Sequence, residues 1–331
     1  MTNSSGRPEL DDQFLEKRYA LLAKLSEDEG YVYYVAADER LKRQVAIKML
    51  KTDCHSSKVA SIRLQAEAEL MAAIRYRGIP VVFDFAFLND GRPFMVSDLI
   101  MGMSARHLIE VFDRSFPNGD PERNPRLGRC LLALEEACRI LNHAHLRGVL
   151  HRDIQLTNIV FEGDEIYVVN WSNARYFRGP QTSNTLKELS EIAVDRPMVG
   201  SPPIGMPIRM APEEFERIEN ATPLSEVYSL GICLFELLVG RHPFSETIVE
   251  VIQEKLTGDF KSPHQFDPTV NPTLEGICLK AMATRPQDRY PDANALGIAI
   301  ASWRRGQPVP QQEESVFAGV AKMFGWGKRR V

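Results

Sequence analysis

Long apolar runs are missing from this chain. Its most apolar stretch, LGICLFELLVG, falls far short of the ~18–20 residues that a helix needs to cross a bilayer. Paired cysteines are missing too. Cys54, Cys130, Cys138, Cys233 and Cys278 are scattered, odd in number and nowhere spaced C-x-x-C. That pattern argues against a disulfide framework and suits reduced, buried thiols in a reducing compartment. Neither sign of charge dominates: 40 Lys and Arg face 44 Asp and Glu, a net charge of −4, which gives no footing for nucleic acid. The opening residues, MTNSSGRPELDD, lack the apolar core of a signal peptide. The expected setting is the cytoplasm.

What is present begins with β-rich sequence. RYALLAKL, YVYYVAAD and RQVAIKML are short runs of strand type separated by charged turns. SKVASIRLQAEAELMAAIR then predicts a helix, with Ile62, Ala66, Leu70 and Ile74 at helical spacing. GIPVVFDFAFL and RPFMVSDLI read as strands joined by a turn at NDG. After them the chain turns helical. RLGRCLLALEEACRILNHAHLRG predicts a long helix closed by Gly148, and two short β-like runs, NIVFEG and EIYVVN, follow it. The stretch from Ser172 to Met210 is irregular and rich in Pro, Ser and Thr, and four further helices are expected after it. A length of 331 residues fits about two domains, or one domain with two lobes. The expected class is α+β, with a small β-rich part carrying one helix ahead of a larger helical part.

The last segment stands apart. In EESVFAGVAKMFGWGKRRV, Val316, Phe317, Val320, Met323 and Phe324 share one helical face, and Trp326 and a basic cluster follow. This is the pattern of an interfacial helix docked on a membrane or a partner. A helix packed on its own domain is the plainer alternative, and two glycines weaken either helix.

Three motifs occur in order on the elements that would need them: VAIK at Val45–Lys48, HRDIQLTN at His151–Asn158 and APEE from Ala211. Together they resemble the protein kinase superfamily. LKRQVAIKML, SEVYSLGICLFELLVGRHPF and RPQDRYPDANAL are most similar to bacterial Ser/Thr kinases of the eukaryotic type. Residues 1–13 are polar and read as a flexible terminus, and the resemblance implies a two-lobed kinase-like domain over 14–306 followed by a tail at 307–331. Within the domain it implies an N-lobe of about 14–97 and a C-lobe of about 102–306. It also assigns roles. Lys48 matches the lysine that reaches the α- and β-phosphates, and Glu67 its ion-pair partner. Asp153 matches the carboxylate that orients the acceptor hydroxyl, and Asn158 the amide that holds one metal. Val32, Ala46 and Val160 match the walls of the adenine slot. Ser97 is the gatekeeper, and the hinge begins at Asp98 and reaches Ile100. Arg152 could receive a phosphate or an acid from the irregular segment, and Arg289 could pair with Glu213. His143, His145 and His151 form the ordinary run into such a catalytic loop, and no metal site is assigned to them.

The departures carry more information than the matches. Counted back from Lys48, the three glycines of the phosphate loop would fall at Ser26, Asp28 and Tyr31. The local string LSEDEGYVYY offers Glu27, Asp28 and Glu29 instead. Glycines let a backbone close over phosphates, whereas a carboxylate near a phosphate is repelled by about 1–3 kcal/mol. Asn170-Trp171-Ser172 stands in place of Asp-Phe-Gly. Asn170 keeps the shape of a metal ligand and loses its charge, and a hard dication prefers carboxylates. Gln155 stands where a lysine would neutralise the moving phosphate. GSPPIGMPIRMAPE is longer than the family's GTPxYMAPE, which alters the peptide platform, and Glu226 replaces an aspartate.

These losses favour a pseudokinase, a kinase-fold binding, scaffold or allosteric regulatory module with little or no phosphotransfer. Its expected partner is another protein, such as an active kinase or a phosphoprotein, with a membrane surface reached through residues 312–331. Two alternatives stay open. One is a weak or unconventional ATP-dependent Ser/Thr kinase built on Lys48, Asp153 and Asn158. The other is a membrane-surface adaptor docked through the tail. No cofactor is demanded by the sequence. The one the fold would accept is ATP or another nucleotide, held weakly or without metal. Thr182, Ser183 and Thr185 are either a phosphorylated switch read by Arg152 or a polar loop.

Overall fold

The computed structural model describes residues 18–112, 125–177, 206–217 and 220–310. The N-terminus, Thr182, Ser183, Thr185 and the tail at 312–331 lie outside the described residues. The described chain forms two compact units. One holds 18–75 and 79–101, and the other holds 76–78 and the rest from Gly102 onward.

The first unit is an antiparallel sheet of five strands in the order β1-β2-β3-β5-β4. The strands are β1 (Tyr19–Glu27), β2 (Tyr31–Asp38), β3 (Arg43–Leu50), β4 (Val82–Phe87) and β5 (Pro93–Ser97). All three strand runs expected between Tyr19 and Leu50 form, and the NDG turn joins β4 to β5 with Gly91 at a φ of +86°. Register decides the two faces, because partners directly opposite point the same way. Val32, Tyr34 and Ala36 of β2 lie opposite Met49, Ile47 and Val45 of β3. These six form the apolar core with Tyr19, Phe94 and Val96. Tyr31, Tyr33 and Val35 lie opposite Leu50, Lys48 and Ala46 on the other face. Asp38 closes the β2–β3 corner by accepting from the backbone of Arg40 and Leu41 and from Arg18. Helix α1 (Lys58–Ala73) starts at Ser57, whose side chain accepts from the Ala60 N–H. Its apolar positions Ile62, Ala66, Leu70 and the following Ile74 are all buried, as their spacing predicts.

The second unit is mainly helical. It contains α2 (Ala105–Phe112), α3 (Pro125–Leu146), α4 (Met206–Arg209), α5 (Pro223–Val239), α6 (Ile248–Thr257), α7 (Pro263–Phe266), α8 (Pro272–Ala281) and α9 (Ala293–Arg304). Helix α5 is its axis. It starts at Thr222, which accepts from the Leu224 N–H, ends at Gly240 with φ +76°, and is buried from Pro223 to Leu238 except at Leu224. Helices α3 and α9 pack closely at Gly297, where a Cβ would stand 2.9 Å from the Cβ of Cys138. Two small sheets complete the unit. β6 (Met103–Ser104), β8 (Ile159–Glu162) and β9 (Glu165–Val168) form one, and β7 (Val149–Leu150) with β10 (Arg175–Tyr176) the other. Arg289, 1% exposed, donates to both carboxylate oxygens of Glu213 at 2.8 Å. Among the described residues, no helix is long and apolar enough to cross a membrane.

Candidate functional site

The expected site residues divide between the two units. In the first, Lys48 and Glu67 pair as the sequence predicts. The ammonium is 2.6 Å from the Glu67 carboxylate, and both side chains are buried. Glu69, two residues on, is tied to Gln65 instead. Two aromatic rings also cover Lys48. Tyr31 lies 4.5 Å and Tyr33 5.5 Å from its Nζ, measured to the ring centroids. Both tyrosines are pinned. The Tyr31 hydroxyl donates to the Ala60 carbonyl at 2.7 Å, and the Tyr33 hydroxyl to Asp28 Oδ2 at 2.8 Å. Burial, and then the Asp28 charge, hold the Tyr33 phenol well above its ordinary value.

This register corrects two expectations. Val32 does not line the face that carries Ala46. It sits in the apolar core on the opposite side of the sheet, because adjacent strand residues alternate. The residue opposite Ala46 is Val35. The phosphate-loop pattern G-x-G-x-x-G-x-V then falls on Asp28, Gly30, Tyr33 and Val35 instead of Ser26, Asp28 and Tyr31. One glycine of three survives, and the last is a tyrosine. Nor are the three acids spread over a phosphate site. Asp28 accepts from the backbone N–H of Gly30 and Tyr31 and shapes the turn, Glu27 pairs with Lys24 and Lys51, and Glu29 is exposed. The signal missed was length: the β2–β3 turn is too short for the usual count back from Lys48.

The gatekeeper and hinge positions close this half. Ser97 lies opposite Ala46. Asp98 accepts from the Val81 N–H at 2.8 Å and returns its own N–H to the Val81 carbonyl at 2.9 Å. Ile100 is half-buried.

In the second unit the catalytic-loop motif closes on itself. Three neutral amides hold the Asp153 carboxylate. Gln155 Nε2 donates to Oδ1 at 2.8 Å, Asn170 Nδ2 to Oδ2 at 2.8 Å, and Asn158 Nδ2 to Oδ2 at 3.1 Å. Asn158 also donates to the Asp153 carbonyl at 2.8 Å. Asn170 reaches Asp153 from a left-handed backbone, φ +65°, and its Oδ1 accepts from Ser172 at 3.0 Å. Trp171 fills an apolar slot, as expected. It is 1% exposed, packs edge-on to His151 at 4.6 Å and donates its indole N–H to the Val168 carbonyl. Val160 is buried on β8.

Glu226 braces the loop. It accepts from the Arg152 N–H at 2.7 Å and meets His145 Nε2 at 2.5 Å. Burial works to raise its carboxyl, but the His145 hydrogen bond and charge outweigh it and hold the group below its ordinary value. The three histidines therefore go separate ways: His145 to Glu226, His151 to the Val169 carbonyl, and His143 onto the Tyr76 ring. Arg152, at φ +63°, lines a cavity of about 250 Å³ with Asp153, Gln155, Asn173, Arg209 and Glu214. Lys255 is fully buried and donates to the carbonyls of Ile208 and of Met210, which also lines the cavity. Its role gave no signal in the sequence.

The description "protein kinase domain" matches residues 28–297. The chain belongs to the protein kinase family. It is 28% identical over 300 residues to the serine/threonine-protein kinase PknB of Mycolicibacterium smegmatis, covering 89% of this chain and 44% of PknB. It is 28% identical over 315 residues to PknL of Mycobacterium tuberculosis, covering 94% of this chain and 72% of PknL. The chain thus spans under half the length of the PknB it matches. The Mycobacterium tuberculosis PknI kinase domain (C20A mutant) superposes with a TM-score of 0.59 at 19% identity, over 86% of this chain and 95% of that one. That likeness is one of fold.

A kinase fold implies a nucleotide and divalent metal, and the residues present do not suit the metal. The position that should supply the metal's carboxylate is Asn170, whose Nδ2 faces Asp153 as a donor. A hard dication takes oxygen ligands and favours carboxylates, so an N–H pointed at the site repels it. Lys48 keeps the carboxylate partner of an ordinary kinase lysine, but two ring faces also cover it.

Proposed function

We propose that this kinase-family protein is a pseudokinase, acting as a binding, scaffold or allosteric regulatory module with little or no phosphotransfer. The observation that supports it best is the neutral amide cage on Asp153. A carboxylate that orients a hydroxyl needs a free lone pair toward it; here two amides fill Oδ2 and a third sits on Oδ1, which leaves one of about four acceptor sites open. The retained parts serve structure instead. Lys48–Glu67 ties β3 to α1, and Glu226 and Arg289 fix the loop and the large helices. The ligand of such a module is another protein, an active kinase or a phosphoprotein, in the cytoplasm or at a membrane surface. Nucleotide binding, where it occurs, is weak or independent of metal.

A second reading, a weak Ser/Thr kinase, draws on the survival of Lys48, Asp153 and Asn158. Thermal melts with ATP, alone and with Mg²⁺ or Mn²⁺, separate the two, because a ligand that binds the folded state raises its stability. The pseudokinase reading expects no metal-dependent stabilisation. Phosphate transfer that disappears in Asp153→Ala would overturn it.

A further inference from the structure

Helix α6 turns Val251 and Lys255 inward, where both are buried. Its outer face carries Ile248, Val249 and Leu256, which are 47%, 75% and 51% exposed, with half-buried Ile252 among them. Positions 248, 252 and 256 lie four apart and so form one stripe along the helix, ~12 Å long. Contiguous exposed apolar surface of this kind marks a docking site more often than singly scattered residues do. Exposed Glu246 and Glu250 flank its N-terminal end.

The chain carries a complement. Val316, Phe317, Val320 and Phe324 repeat the i, i+1, i+4, i+8 spacing of Ile248, Val249, Ile252 and Leu256. Lys328, Arg329 and Arg330 follow them, opposite in sign to Glu246 and Glu250. The point of departure is favourable. Trp303, at the end of α9, donates to Asn271 Oδ1 at 3.1 Å, which holds the exit of the chain beside the connection from α6 to α8. From there the segment 305–315 can span ~35 Å when extended.

We propose that residues 316–324 dock on the outer stripe of α6, antiparallel to it, so that the tail is held by its own domain. The antiparallel direction brings the basic cluster to Glu246 and Glu250. It also starts the docked segment at the Leu256 end. This contact stands independently of whether the protein transfers phosphate.

Amide hydrogen exchange over residues 248–257 tests it, comparing the full chain with a chain ending at Pro310. Removing the tail should speed exchange there by about fivefold or more. Val249→Asp in the full chain should do the same, and in the chain ending at Pro310 it should leave the melting temperature unchanged, since that side chain is 75% exposed. The protection should not change on tenfold dilution. Equal exchange with and without the tail overturns the proposal, and so does protection lost on dilution, which would assign the stripe to a second copy. In flotation with phosphatidylcholine–phosphatidylglycerol vesicles, Val249→Asp should bind more than wild type. Wild type that floats as well as Val249→Asp would show a tail free for the membrane and overturn the docking.

Discussion

Asn170 Nδ2 donates to Asp153 Oδ2 across 2.8 Å. The amide at this position therefore gives the Asp153 oxygen an electropositive neighbour. Asn170→Asp removes that neighbour and sets two carboxylates against each other. Asn170 is exposed, so solvent screening holds the repulsion to about 1–2 kcal/mol. The variant should melt a few degrees below wild type without metal and recover most of the loss in millimolar Mg²⁺. Wild type should not respond to Mg²⁺. A variant indifferent to Mg²⁺, or a wild type that responds equally, would show that the cage is not what excludes the ion.

Tyr33 gives the second prediction. Its ring lies 5.5 Å from Lys48 Nζ, and Asp28 holds its hydroxyl. Tyr33→Gly uncovers the ammonium and restores a glycine at the corrected phosphate-loop position. ATP without metal should then raise the melting temperature of the variant, with about 2–4 °C for each kcal/mol of binding in a domain of this size. The wild-type temperature should stay fixed at the same ATP concentration. Equal shifts in both proteins would mean that Tyr33 does not guard Lys48.

The contrast between Lys48 and Val32 shows what a sequence can carry. The Lys48–Glu67 pair was legible because its motif, VAIK, sits on a strand, and Glu67 sits on a helix whose spacing fixes its inner face. The helices of the second unit were legible for the same reason, through periodicity and caps such as Thr222 and Gly240. Val32 failed because a strand alternates every residue, so a miscount by an odd number of positions, here the three from Val32 to Val35, moves a side chain to the opposite face. Motif distance alone cannot fix that count when a turn changes length. The Asp153 cage was half legible. The sequence located Gln155, Asn158 and Asn170 as substitutions or matches, but only the fold showed their donors converging on one carboxylate. Lys255 was not legible at all. Its partners are backbone carbonyls, and no sequence pattern marks a carbonyl.

The Lys48–Glu67 pair is predicted to be structural. Both side chains are about 5% exposed, so each charge depends on the other. Glu67→Ala should cost about 3–5 kcal/mol in urea unfolding, because it takes the carboxylate away from a buried ammonium. Lys48→Met combined with Glu67→Leu removes both charges and keeps the volume, and should cost much less. Equal losses in the single and double variants would place the cost in packing and not in the charge left behind.

The last prediction concerns acid. Glu213 lies between Arg289 and Ser225. Burial pushes its carboxyl upward, but the hydrogen bonds and charge of Arg289, helped by Ser225, hold it below its ordinary 4.5. A carboxylate depressed in the folded state binds fewer protons there than in the unfolded chain. It therefore contributes stability above pH 4.5 and gives that stability up as the pH falls through the depressed value. Glu213→Gln keeps the shape and removes the titration. At pH 7 it should lose about 1–3 kcal/mol, the worth of a charge-assisted bond to buried Arg289. The gap between the two proteins should then narrow as urea midpoints are measured at successively lower pH, from about 5 downward. A gap that stays constant over that range would mean that the guanidinium does not hold Glu213 in its charged form.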